Sequence, residues 1–234
     1  MLWYKAWLET RSRFLIALVG CTVLCVQLVR MVPRGAAPDE PFLLLRGVHF
    51  TLVCVWTMGV TLLFMGGLLR ERALGSSSFT LSLPVSRFRL ISVRVGMGLV
   101  QAIALAVFPW IGMLVAVHVA INSSSLSLAG FQIFLLLGGG IVFMTISLLI
   151  SSLVEGEYTA PIVSFGATIM LVYALSGKRL SPYSPWTFMM GMGYFHHQTP
   201  LVGQPILWIY AGAFLAIAAL VTLVSIKVIQ QRDF

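Results

Sequence analysis

Apolar residues along this chain do not alternate with polar ones. They run together in blocks, and six blocks are separated by short polar or Pro/Gly-containing breaks. The blocks cover roughly residues 14–32, 50–69, 95–120, 130–153, 161–177 and 206–226. Each is close to the ~20 residues that cross the hydrocarbon of a bilayer as a helix. The pattern predicts an all-α polytopic membrane protein with six transmembrane helices, forming a single transmembrane domain over 1–234.

Before the first block, Trp3, Ala6, Trp7, Thr10 and Phe14 recur at helical spacing. Lys5, Glu9 and Ser12 fall on the other side, with Arg11 and Arg13 flanking the stripe. Residues 1–13 therefore predict an amphipathic helix lying in the membrane interface, or a helical lead-in to the first span. Within the third block Pro109 predicts a kink. Gly138, Gly139 and Gly140 in the fourth allow close helix contact.

Two connections stand out. The first is RERALGSSSFTLSLPVSRFRLISVR, residues 70–94, which holds five of the chain's fifteen Lys and Arg residues. Leu74, Ser78 and Leu81 sit at i, i+4 and i+7, which predicts a short helix with an apolar edge. Pro84 stops it, because the residue before a proline is driven out of helical geometry. Ser86 is placed to cap the next helix. Arg87 and Arg89 fall in that helix's first turn, where the macrodipole disfavours cations, so helix stability does not explain them.

The second connection, residues 178–205, contains SPYSPWTFMMGMGYFHHQTP. Pro182, Pro185, Gly191, Gly193 and Pro200 forbid a continuous helix there. Its aromatics predict a re-entrant or interfacial element with Tyr183, Trp186, Tyr194 and Phe195 at headgroup depth. Trp186, Phe188, Tyr194 and Phe195 form a candidate outer gate, the alternative being an aromatic belt with no gating role.

Composition strengthens the membrane reading. The chain has 234 residues, 59% hydrophobic and only 9% charged, with mean hydropathy +0.98. A soluble surface needs about a quarter of the residues charged. The net charge of +8 does not point to nucleic acid, because the basic residues sit at the ends of apolar blocks. With six spans, Lys5, Arg11, Arg13, Arg70, Arg72, Arg87, Arg89, Arg94, Lys227 and Arg232 share one side, ten in all. The other side holds five: Arg30, Arg34, Arg46, Lys178 and Arg179. The positive-inside rule then puts both termini and residues 70–94 in the cytoplasm. No cleavable signal precedes the first span, which is expected to direct its own insertion.

Catalytic chemistry is sparse. Cys21, Cys25 and Cys54 lie within apolar blocks and read as packing residues, not as a disulfide or zinc framework. No GxxxxGK[ST], HExxH or GxSxG run occurs, so nucleotide phosphates have no loop to cradle them here. His196 and His197 would diverge by about 100° on a helix, which disfavours a shared metal. An outer-face enzyme using these two histidines, or a non-transporting anchor for a soluble partner, remain the alternative functions.

Glu71, Gly75 and LSLPVSRFRLISVR (81–94) together resemble the cytoplasmic signature of ABC-2 type permeases. The six-span count, the N-terminal helix, the broken outer segment and the ending Arg232-Asp233-Phe234 agree with that family. Arg94 departs from the Lys that often closes the stretch. The resemblance implies a transport subunit in a bacterial-type cytoplasmic (inner) membrane, pairing with a second permease copy or a related permease. Two cytoplasmic ABC ATPase subunits would grip it, with ATP and Mg bound in them and no cofactor bound by this chain. Glu71, Gly75, Leu83, Pro84, Val85, Ser86 and Arg87 would form the ATPase-coupling surface, and membrane lipids would surround the spans. Spans almost free of ionisable residues favour a hydrophobic or amphipathic cargo over an ion.

Overall fold

The fold was taken from a computed structural model, which describes residues 2–30, 40–64, 87–116, 123–154, 159–177, 179–191, 195–196, 199–200 and 205–231. Long helices dominate: α1 (Leu2–Arg30), α2 (Glu40–Phe64), α3 (Arg87–Ala116), α4 (Ser123–Leu153), α5 (Thr159–Ala174) and α7 (Pro205–Gln231). A short helix α6 (Pro185–Met189) follows a 3-10 turn, Ser181–Tyr183. Phe195–His196 (β1) pairs antiparallel with Thr199–Pro200 (β2).

Among the described residues, five helices are long and apolar enough to cross a bilayer: Leu2–Leu28, Gly47–Phe64, Ser92–Val115, Ser127–Leu153 and Pro205–Val228. The chain is a polytopic helical membrane protein. The fifth predicted span is shorter than expected: α5 has 16 residues, about 24 Å at 1.5 Å per residue, against a core of about 30 Å. Its helical bonding closes with Leu175 N–H to Leu171 O and Ser176 N–H to Tyr173 O.

Of the two N-terminal readings the structure has the helical lead-in: Leu2–Arg30 is one unbroken helix of 29 residues, with no separate interfacial helix before the span. The first Gly comes only at Gly20 and no Pro precedes Pro33, so no residue forces a bend. The stripe that suggested an interface position packs instead against α3, Trp3 on Gly96 and Thr10 on Gln101.

Close contacts fix the helix directions. Trp3 lies over Gly96 and Thr22 over Gly112, and Thr10 accepts a hydrogen bond from Gln101. Residue numbers rise together, so α1 and α3 run parallel. Trp56 Nε1 donates to Ala102 O at 3.0 Å and Phe64 packs on Gly98, so α2 runs against α3. Trp56 also covers Gly140 in α4, while Phe64 and Leu148 line one small cavity. Thus α2 and α4 run the same way. α1 and α3 start at one face of the bundle, called here the first face, where α2 and α4 end.

The core forms two clusters. The larger joins α1 to α4 around Phe14, Cys25, Leu52, Trp56, Leu105 and Phe143. The smaller joins α4 and α7 through Phe131, Leu135, Val142, Leu207, Ala211 and Phe214, with Phe188 between them. α5 has an inverted pattern: Ala160, Ser164 and Thr168 are buried, while Ile162, Ile169, Met170 and Tyr173 are exposed. Where lipid is the solvent, small residues pack inward and large apolar ones face out.

Candidate functional site

The connection before α7 folds into the bundle. α6 is seated on Gly138 and Gly139 of α4. A Cβ on Gly139 would lie 2.6 Å from both Met189 Cγ and the Pro185 carbonyl oxygen, and one on Gly138 3.1 Å from Phe188. Gly139 is twelve residues from Ser127 and fourteen from Leu153, the ends of its span. That is about 18 and 21 Å, so α6 reaches the middle of α4.

Broken backbone at such depth must find its hydrogen bonds inside the protein. It does so locally through Phe188 N–H to Ser184 O, Met190 N–H to Trp186 O and Gly191 N–H to Phe188 O. Gly191 adopts φ 68°, the left-handed geometry that ends a helix and that glycine adopts freely. The Met189 carbonyl accepts from His49 Nε2 at 2.7 Å.

Aromatic rings hold the same element. Phe188, 1% exposed, meets Phe214 at 5.3 Å and Phe134 at 6.4 Å between ring centroids. Trp186 meets Phe143 edge-on at 6.4 Å. Trp186 is thus deeper than the headgroup level expected of it, because the glycines of α4 admit the whole turn. Tyr183 keeps an exposed position and contacts Tyr210. Tyr194 lies outside the described residues. Phe195 is described only as a residue of β1 and His196 as its neighbour there, while His197 is outside them.

A second arrangement lies at the first face. Arg94 Nη2 is 3.4 Å from Glu9 Oε2, and Glu9 Oε1 is 3.7 Å from Lys5. Seven residues further along α3, Gln101 Nε2 donates to Thr10 Oγ1 at 2.7 Å, and Thr10 donates to Ala6 O. Beside them is a cavity of about 10 Å³ lined by Ala6, Thr10, Phe64, Arg94, Gly98 and Leu148 among others, room for about one water. The two contacts join α1 and α3 at the end where α3 begins.

Of the coupling residues expected from sequence, Arg87 is the first residue of α3, directly after the Ser86 expected to cap it. Glu71, Gly75, Leu83, Pro84, Val85 and Ser86 lie outside the described residues. The helices on either side of them end and begin at the first face. Among the described residues no group of three His, Cys, Asp or Glu gathers to hold a metal ion.

Sequence reasoning passed over His49, Gln101 and Gln132, all within 3% of full burial. The signal was present: polar side chains within a span are expensive and mark specific contacts. No family model, curated protein or solved structure matches this chain.

Proposed function

We propose that this chain is the membrane-spanning permease subunit of an ABC-2 type transporter, driven by a separate ATPase and exporting a hydrophobic or amphipathic molecule. The observation that carries the reading is how α3 begins. It starts at Arg87 and runs unbroken for 30 residues, directly after the sequence Leu83-Pro84-Val85-Ser86. Glu9 and Arg94 tie it to α1 near that start. A push on residues 71–87 is then delivered to two parallel helices, which move as one lever.

In this reading the first face is cytoplasmic. Lys5, Arg11, Arg13, Arg89, Arg94 and Lys227 lie toward it on their helices, as the positive-inside rule requires. α5 completes six spans, which leaves both termini on the cytoplasmic side of a bacterial-type inner membrane. The apolar helices α2 and α5 flank the route, which a second permease copy completes, and the buried α6 closes its outer end. An apolar route with little fixed charge suits lipid-like or drug-like cargo.

The test is co-expression with candidate ABC ATPases, purification by a tag on this chain, and ATP hydrolysis in nanodiscs across lipid and peptide candidates. Co-purification with cargo-stimulated hydrolysis is the expected result. An ATPase that binds but drives no transport would make the chain an anchor. Absence of any ATPase partner would sink the reading.

A further inference from the structure

Trp56, Ala102 and Gly140 mark one level across α2, α3 and α4, because Trp56 bonds to Ala102 O and lies on Gly140. Two helical turns toward the second face is seven residues, about 10.5 Å. On α2 that step leads from Trp56 to His49, and on α4 from Gly140 to Ile133. On α3, which runs the other way, it leads from Ala102 to Pro109. His49, Trp110 and Gln132 therefore fall within about one residue rise of a common level.

All three are buried, at 2%, 3% and 3% exposure. Each has a polar atom without a hydrogen-bond partner among the described residues: His49 Nδ1, Trp110 Nε1 and Gln132 Oε1. Three helices thus bring unanswered polar groups to one depth in an otherwise apolar core. In the layer two turns away the indole N–H is bonded to a carbonyl, and Gln101 Oε1 beside Ala102 is unanswered among the described residues. Buried polar groups are nearly always hydrogen-bonded, and three exceptions at one level call for a ligand.

Their chemistry specifies it. The Met189 carbonyl only accepts, so the proton of the neutral His49 ring is on Nε2. Nδ1 then presents a lone pair. Gln132 Oε1 also accepts, and the Trp110 indole only donates. The geometry points to a binding site for one neutral hydroxyl group between α2, α3 and α4. The hydroxyl oxygen accepts from Trp110, and its hydrogen goes to His49 or Gln132. Water, with two hydrogens, satisfies all three atoms; an aliphatic alcohol satisfies two. Because His49 also holds Met189, an occupant of this site touches the residue that anchors α6. The inference does not depend on the transport reading.

Nuclear magnetic resonance of the full chain in lipid nanodiscs, with 15N-labelled indoles, tests it. Trp110→Phe assigns the Trp110 N–H signal. A cross-peak between that signal and water, lost in Gln132→Met or His49→Phe, supports the site and assigns it to water. A shift of the signal by 1-dodecanol but not by dodecane supports it and assigns it to an amphiphile hydroxyl. Gln132→Met nearly preserves side-chain shape and leaves the Met189 bond intact, so it serves if His49→Phe fails to fold. A Trp110 N–H with neither a water cross-peak nor a dodecanol shift overturns the proposal.

Discussion

His49 and Met189, 140 residues apart in the chain, are joined by a 2.7 Å hydrogen bond from an imidazole nitrogen to a backbone carbonyl. The bond fastens α6 to α2. Removing the donor leaves a buried acceptor unanswered, which costs about 1–3 kcal/mol. His49→Phe is expected to lower the unfolding temperature in detergent. It is also expected to expose a cysteine placed by Thr187→Cys to thiol reagents, in a background where Cys21, Cys25 and Cys54 are replaced. Unchanged labelling in His49→Phe would show that packing alone holds α6.

Glycine at position 139 is a steric requirement. A methyl group there meets a backbone oxygen and Met189 Cγ at 2.6 Å, and backbone cannot swing aside. Gly139→Ala is expected to destabilise by about 1–3 kcal/mol, the usual cost of overpacking. Gly166→Ala is the control, since nothing lies within 4 Å of its added carbon; it should be neutral or slightly stabilising. Equal melting temperatures for the two variants would contradict the seat described for α6.

The contact between Glu9 and Arg94 is partly solvent-exposed, at 31% and 25%. Its contribution to stability is therefore small, about 0.2–1 kcal/mol. A double-mutant cycle with Glu9→Gln and Arg94→Gln should give a coupling in that range, weaker at high salt. A larger role is expected in transmission: both single variants should reduce ATPase stimulation more than they reduce folded yield.

Much of the fold was legible because lipid imposes a simple rule on sequence. Apolar blocks marked every long helix, and the start of α3 at Arg87 followed from Pro84 and Ser86. The glycines at 138–140 were rightly read as sites of close contact. His49 was missed because the second apolar block was read as starting at about residue 50, one position after it. In the fold α2 begins at Glu40, with Pro41 in the first turn, where its missing N–H is harmless. The N-terminal stripe was real, but its partner is α3; which surface covers an amphipathic face is a tertiary fact that periodicity alone does not carry.

Pro84→Ala addresses the proposed docking stretch. The variant should insert and fold normally, because Pro84 lies outside the apolar blocks that mark the spans. It should reduce ATPase coupling several-fold in a reconstituted complex. A failure of insertion would instead make this stretch a folding element, and the handle would have to be sought elsewhere.

The tie between α1 and α3 has a consequence for biogenesis. Glu9 leaves the ribosome 85 residues ahead of Arg94, so during synthesis its carboxylate has Lys5, four residues away in the same helix, as a counter-ion. The cross-link between the two parallel helices closes only once α3 has been made and laid beside α1.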